Sequence, residues 1–108
     1  MVGIGEVVIH VSDIDKAAEF WERTLESCYQ LVDRDHNSAM FCPKTGEGLA
    51  IQLNTEDQTH VDLVTADAEE RDREIERVLS LGAQRVDWPH RDEITVLTAP
   101  GGLTFCLL

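Results

Sequence analysis

Basic residues are scarce. Nine Lys+Arg stand against twenty-one Asp+Glu, a formal net charge of -12. Such a balance repels phosphate backbones and anionic lipid surfaces, so nucleic acid and membrane drop out as expected partners. Cysteines number only three, at unpatterned spacing and without a C-x-x-C pair. That argues against a disulfide framework or a sequence-encoded zinc knuckle and leaves reduced thiols in a cytoplasm as the expectation. No apolar run reaches membrane-spanning length, and the opening MVGIGEVVIH lacks a basic region followed by an apolar stretch. Prolines number three, and no linker or low-complexity tract divides the chain. What is present, 43% hydrophobic and 28% charged residues in 108, suits one small globular domain spanning residues 1–108.

Inside that domain lies a repeat. Sliding the sequence by 54 residues aligns it with itself without a gap. The identical pairs include Val7/Val61, Asp13/Asp67, Leu25/Leu79, Gln30/Gln84, His36/His90, Gly48/Gly102 and Leu53/Leu107. There are twelve in all, where ordinary residue usage gives roughly three or four by chance. Two modules result, 1–54 and 55–108, each near the lower size limit for folding alone.

Each module reads as β-α-β-β-β. VVIHV (7–11) and VDLVT (61–65) are rich in β-branched residues, as strands are. Asp13 and Asp67 then stand where a side-chain oxygen caps a helix, with Glu70 at capping-box spacing and Gly82 as a stop. The first helix runs to about Glu26 with Ile14, Ala17, Ala18, Trp21 and Leu25 as its apolar stripe; the second covers about 68–81 with Ala68, Ile75, Val78 and Leu79. Three strands follow each helix, near 29–33, 38–42 and 49–53, and near 84–88, 93–97 and 103–107. The fold class is α+β: two tandem βαβββ modules forming a curved, partly closed mixed sheet with helices outside.

Side-chain alternation then assigns faces. If Val7, Ile9 and Val11 pack under the helix, Glu6, Val8 and His10 face the other way. The same logic buries Val61, Leu63, Leu49, Ile51, Leu53, Leu103, Phe105 and Leu107 beneath the helices. It turns Gln52, His60, Asp62, Val64, Thr104 and Cys106 to the opposite, concave face. Polar groups gathered on such a face are costly unless they bond one another, solvent or a ligand. A self-satisfied wet groove, a small-molecule pocket and a metal site are the three readings. Trp88, ahead of Pro89 in a turn, offers an aromatic ring to a ligand or simply packs over the sheet end. Cys28 and Cys42 read as small buried fillers and His36 as a solvent-facing turn residue. A Cys106–His60 nucleophile lacks any cationic neighbour or helix N-terminus to activate it, so no catalytic residue is assigned.

VVIHVSDIDKAAEFWERTL resembles the opening strand, Asp turn and helix of the vicinal oxygen chelate superfamily, which groups glyoxalase I, bleomycin-resistance proteins and extradiol dioxygenases. THVDLVTADAEERDREIERVLSLGAQRV and TVLTAPGGLTFCLL resemble its second module, most closely the glyoxalase-like branch common in actinobacteria. The resemblance covers nearly the whole chain. It implies metal ligands on the first and last strand of each module, which fall here at Glu6, Gln52, His60 and Cys106. Glu6 stands where a His is expected and Cys106 where a Glu is expected. The usual Asp-Pro-x-Gly-Asn turn is replaced by residues 99–103, Ala-Pro-Gly-Gly-Leu.

The reading that follows is a glyoxalase/bleomycin-resistance-like protein, without a cofactor, binding a small molecule in a cleft between its modules. Glu6, His10, Gln52, His60, Asp62, Trp88 and Cys106 are its candidate ligand-binding residues, and a homodimer is expected because exposed sheet edges invite pairing. The alternative is a lyase, isomerase or dioxygenase using one divalent metal (Zn, Ni or Fe) at Glu6, Gln52, His60 and Cys106. A third reading is an interaction module with no ligand.

Overall fold

The structure, a computed structural model, describes residues 2–87 and 94–108. Two helices and eight strands occur among them. The chain divides into two compact units, Glu6–Thr59 and a second made of the residues up to Gly5 with His60–Leu108. The fold class is α+β, as the repeat predicts, and each unit carries one helix and an open, mixed four-stranded sheet. The sheet order within each unit is linear rather than circular, so neither closes into a barrel.

β1 (Gly3–His10) belongs to the first unit from Glu6 onward, and α1 (Ile14–Thr24), β2 (Tyr29–Arg34), β3 (Ser38–Pro43) and β4 (Ala50–Asn54) follow it there in order. β1 lies parallel to β4, with Val7 opposite Ile51 and Val8 opposite Gln52. β3 runs antiparallel to both β4 and β2. Asp13 caps α1 by accepting from the Lys16 N–H at 3.1 Å, which satisfies one of the orphan donors of the first turn. Ile14 and Ala18 of that helix pack on Ala39, Phe41 and Leu53, with Ile9, Val11 and Ile51 around them.

The second unit repeats the plan. β5 (His60–Val64), α2 (Ala68–Ser80), β6 (Gln84–Arg85), β7 (Thr95–Thr98) and β8 (Thr104–Leu107) are its elements. β5 lies parallel to β8, with Val61 opposite Phe105 and Asp62 opposite Cys106. These are the β1–β4 pairs shifted by 54 residues. Asp67 caps α2 through the Glu70 N–H at 2.8 Å. After α2 the chain turns at Gly82, whose φ of 111° lies in the left-handed region that a side chain disfavours. Ile75 packs on Ala83, Leu97, Phe105 and Leu107, with Val61, Leu63, Val78 and Leu79 beside them. The face assignment from alternation therefore holds for the strands beneath both helices.

One register departs from the gapless repeat. β3 sets Phe41 opposite Ile51, whereas β7 sets Leu97, not Thr95, opposite Phe105. β6 keeps the 54-residue offset, since Gln30 pairs with Cys42 and Gln84 with Thr98. β7 alone has slipped by two residues. An even slip leaves every side chain on its original face, so the core survives it.

Five side chains expected inside are not. Leu49 and Leu103 are 37% and 51% exposed, because each precedes the first residue of its strand and no ladder fixes its direction. Trp21 is 38% exposed and meets Phe20 edge-on, ring centroids 5.0 Å apart. Successive helix positions lie about 100° apart, so the two rings cannot share the core face, and they pair near the surface. Ala68, the first helical residue, is exposed at the open end of α2. Cys28 is also exposed, in the turn between α1 and β2.

Candidate functional site

The candidate residues of the first unit sit on the sheet face turned away from α1. Glu6 and Gln52 are half-buried, and the Gln52 Nε2 donates to Glu6 Oε1 at 3.4 Å. Asn54 completes the row: its Nδ2 donates to Gln52 Oε1 at 3.1 Å. The Asn54 Oδ1 also accepts from the N–H groups of Glu56 and Asp57 at 2.7 and 2.9 Å. Sequence reasoning missed Asn54. The signal was its position two residues after Gln52 on one strand, hence on one face. Val8, two residues after Glu6 on the same face of β1 and directly opposite Gln52, is 1% exposed.

His10 is exposed rather than gathered with this row. Its ring Nδ1 lies 2.9 Å from the Asp57 carbonyl oxygen, and its N–H donates to Thr59 Oγ1 at 2.9 Å. Those bonds hold it to the loop after β4. Its ring instead borders a shallow hollow of about 600 Å³ shared with Ser12, Asp13, Lys16 and Phe20.

In the second unit three candidates converge. His60 and Asp62, two apart on β5, point to the same side of the sheet, and Asp62 faces Cys106 across the parallel ladder. Their relative exposures are 0%, 6% and 0%. Among the described residues, His60 and Asp62 are the polar side chains buried to this degree. His60 Nε2 and Asp62 Oδ1 are 3.3 Å apart. Counting one donor atom from each residue, the imidazole nitrogen, carboxylate oxygen and thiol sulfur lie within 4.8 Å of one another. Nitrogen, oxygen and sulfur donors so placed can share a proton or grip a cation. Cys106 as an attacking nucleophile fits less well, since its side chain offers no surface to a substrate. Trp88 lies outside the described residues.

Residues 6–108 match the glyoxalase-like domain family. No curated protein matches the chain. Among solved structures, a Legionella pneumophila protein described as an NAD-dependent benzaldehyde dehydrogenase superposes with a TM-score of 0.70 at 19% identity, over 94% of each chain. The hypothetical protein BH1468 of Bacillus halodurans gives 0.62 at 16% identity, over 98% of this chain and 92% of its own. BphC, a halotolerant catechol dioxygenase, gives 0.53 at 19% identity, over 97% of this chain but 39% of the dioxygenase. At such identities these likenesses speak for the fold alone. With the doubled βαβββ topology and a family match over almost its entire length, the chain belongs to the glyoxalase-like domain family of the vicinal oxygen chelate superfamily.

Proposed function

We propose that this glyoxalase-like protein binds a small molecule, using the polar side chains on the sheet faces turned away from its helices. The observation that carries the reading is the half-buried polar row of Glu6, Gln52 and Asn54, which leaves donors and acceptors partly open on that face. Burying such groups is costly, and sites that tolerate the cost are often places where a ligand is recognised. Glu6 and Gln52 offer an acceptor and an amide there. The net charge of -12 disfavours anions, so the ligand class is a neutral or cationic molecule with an apolar or aromatic body.

Calorimetry and native mass spectrometry against a panel of such molecules test this. A one-to-one binder, weakened about tenfold (roughly 1.4 kcal/mol) by Gln52→Ala, is the expected result. A panel without any binder overturns the reading in favour of an interaction module. A homodimer belongs to the same proposal, because β2 and β6 are sheet edges of the kind a second copy covers. Sedimentation at low micromolar concentration showing only 12.1 kDa monomers sinks that part.

A further inference from the structure

The resemblance to metal-using relatives places four ligands at Glu6, Gln52, His60 and Cys106, and the first-module half of that set does not fit a cation. Two oxygens that grip one ion must both turn toward it. Here Gln52 presents its amide nitrogen to Glu6, while its oxygen accepts from Asn54. That pair is arranged as a hydrogen-bonded row.

The second module differs. We propose that His60, Asp62 and Cys106 form a divalent-metal site of their own, suited to zinc and contained within that module. Asp62, which has no counterpart in the family's four positions, supplies the third donor. Three observations carry this. The donor atoms come from adjacent, hydrogen-bonded strands and lie within 4.8 Å of one another. The His60 nitrogen and Asp62 oxygen are 3.3 Å apart. That is long for a charge-assisted hydrogen bond, about 2.7–2.9 Å, and close to the separation of roughly 3.3 Å between donors bound tetrahedrally at about 2.0–2.1 Å from zinc. Finally, the charges cancel. One thiolate and one carboxylate neutralise a dication, and the imidazole adds a neutral donor, so the group suits a place with almost no access to water. Thiolate with imidazole selects zinc over magnesium or calcium, which prefer oxygen throughout.

This inference goes beyond the small-molecule reading, which stands or falls without metal. The test uses the full chain, stripped with a chelator and titrated with cobalt(II) as a coloured stand-in for zinc. One cobalt per chain is expected, with a thiolate-to-cobalt charge-transfer band that zinc abolishes. Cys106→Ser removes the band, whereas Cys28→Ser and Cys42→Ser keep it. Asp62→Asn weakens cobalt binding by more than about tenfold, while Glu6→Gln and Gln52→Ala leave it within about twofold. Should Cys106→Ser fail to fold, X-ray absorption of the zinc-loaded wild-type protein decides instead: one sulfur near 2.3 Å is expected among lighter donors. No charge-transfer band, no sulfur in the zinc shell, or binding lost in Glu6→Gln or Gln52→Ala each overturns the site. A metabolite that still binds the stripped protein then leaves the ligand-binding reading intact.

Discussion

The two modules put the same three strand positions to different uses. In the first, Glu6, Val8 and Gln52 occupy them; in the second, a 54-residue shift gives His60, Asp62 and Cys106. Backbone register and facing direction are shared, so the contrast lies in side-chain chemistry. In the first module an aliphatic residue fills the central place, and the flanking carboxylate and amide are joined by a hydrogen bond that Asn54 extends. A carboxylate takes the central place in the second, between an imidazole and a thiol, nearly out of contact with water. A duplicated fold thus supplies two copies of one scaffold position. Divergence at all three positions, Glu6/His60, Val8/Asp62 and Gln52/Cys106, makes one copy a hydrogen-bonded row and the other a cluster of imidazole, carboxylate and thiol.

Leu53 and Leu97, 1% and 0% exposed, anchor the two cores, and Leu53→Ala or Leu97→Ala should each cost about 3 kcal/mol in urea unfolding. Strongly unequal costs would mean that the modules differ in packing as well as in polar chemistry. In the chelator-treated protein, Asp62→Ala should cost about 2 kcal/mol, since it removes the carboxylate beside a buried imidazole. Gln52→Ala, in a half-buried row, should cost about 1 kcal/mol. Equal losses in those two variants would erase the distinction drawn between the clusters. Asp13→Ala and Asp67→Ala remove equivalent helix caps and should each cost about 1 kcal/mol, a check that the repeat extends to the helices.

The smallest effect is electrostatic. Asp35, in the turn joining β2 to β3, accepts from the backbone N–H of Asn37 at 2.8 Å, and from the N–H and hydroxyl of Ser38 at 3.0 and 3.1 Å. The Asn37 N–H bond leads in holding its carboxyl below the ordinary value of 3.8; desolvation opposes it, and the Ser38 hydroxyl and N–H with the nearby His36 add to the lowering. A carboxyl whose pKa is depressed on folding stabilises the fold above its unfolded value, and loses that contribution as pH falls through the folded one. Carboxyl-detected NMR titration should therefore place the Asp35 midpoint below 3.8. A midpoint at or above that value refutes the turn's role.

Much of the scaffold was readable from local chemistry. Asp13 and Asp67 announce their helices because a short side-chain oxygen reaches the N–H three residues on. Alternation placed Ile51 and Leu53 under one helix and Phe105 and Leu107 under the other, because strand geometry admits only two faces. It failed at Leu49 and Leu103, just outside the ladders, where nothing enforces that geometry. Trp21 followed the helical period yet stayed partly exposed, since periodicity gives direction and not whether a ring of that size finds room. Asp62 was visible as a candidate from the sequence, but its nearness to Cys106 was not. That contact depends on a parallel pairing between strands 44 residues apart in the chain.

The doubled βαβββ order, the helix caps and the face each strand residue takes are written into the chain's local pattern, because these obey rules acting over a few residues. Tertiary structure alone decided the two-residue slip of β7, the turning of the Gln52 nitrogen toward Glu6, and the closing of His60, Asp62 and Cys106 into one group. Each of these depends on interstrand register or side-chain torsion. The energy differences that settle them arise only when strands distant in the chain come to lie side by side.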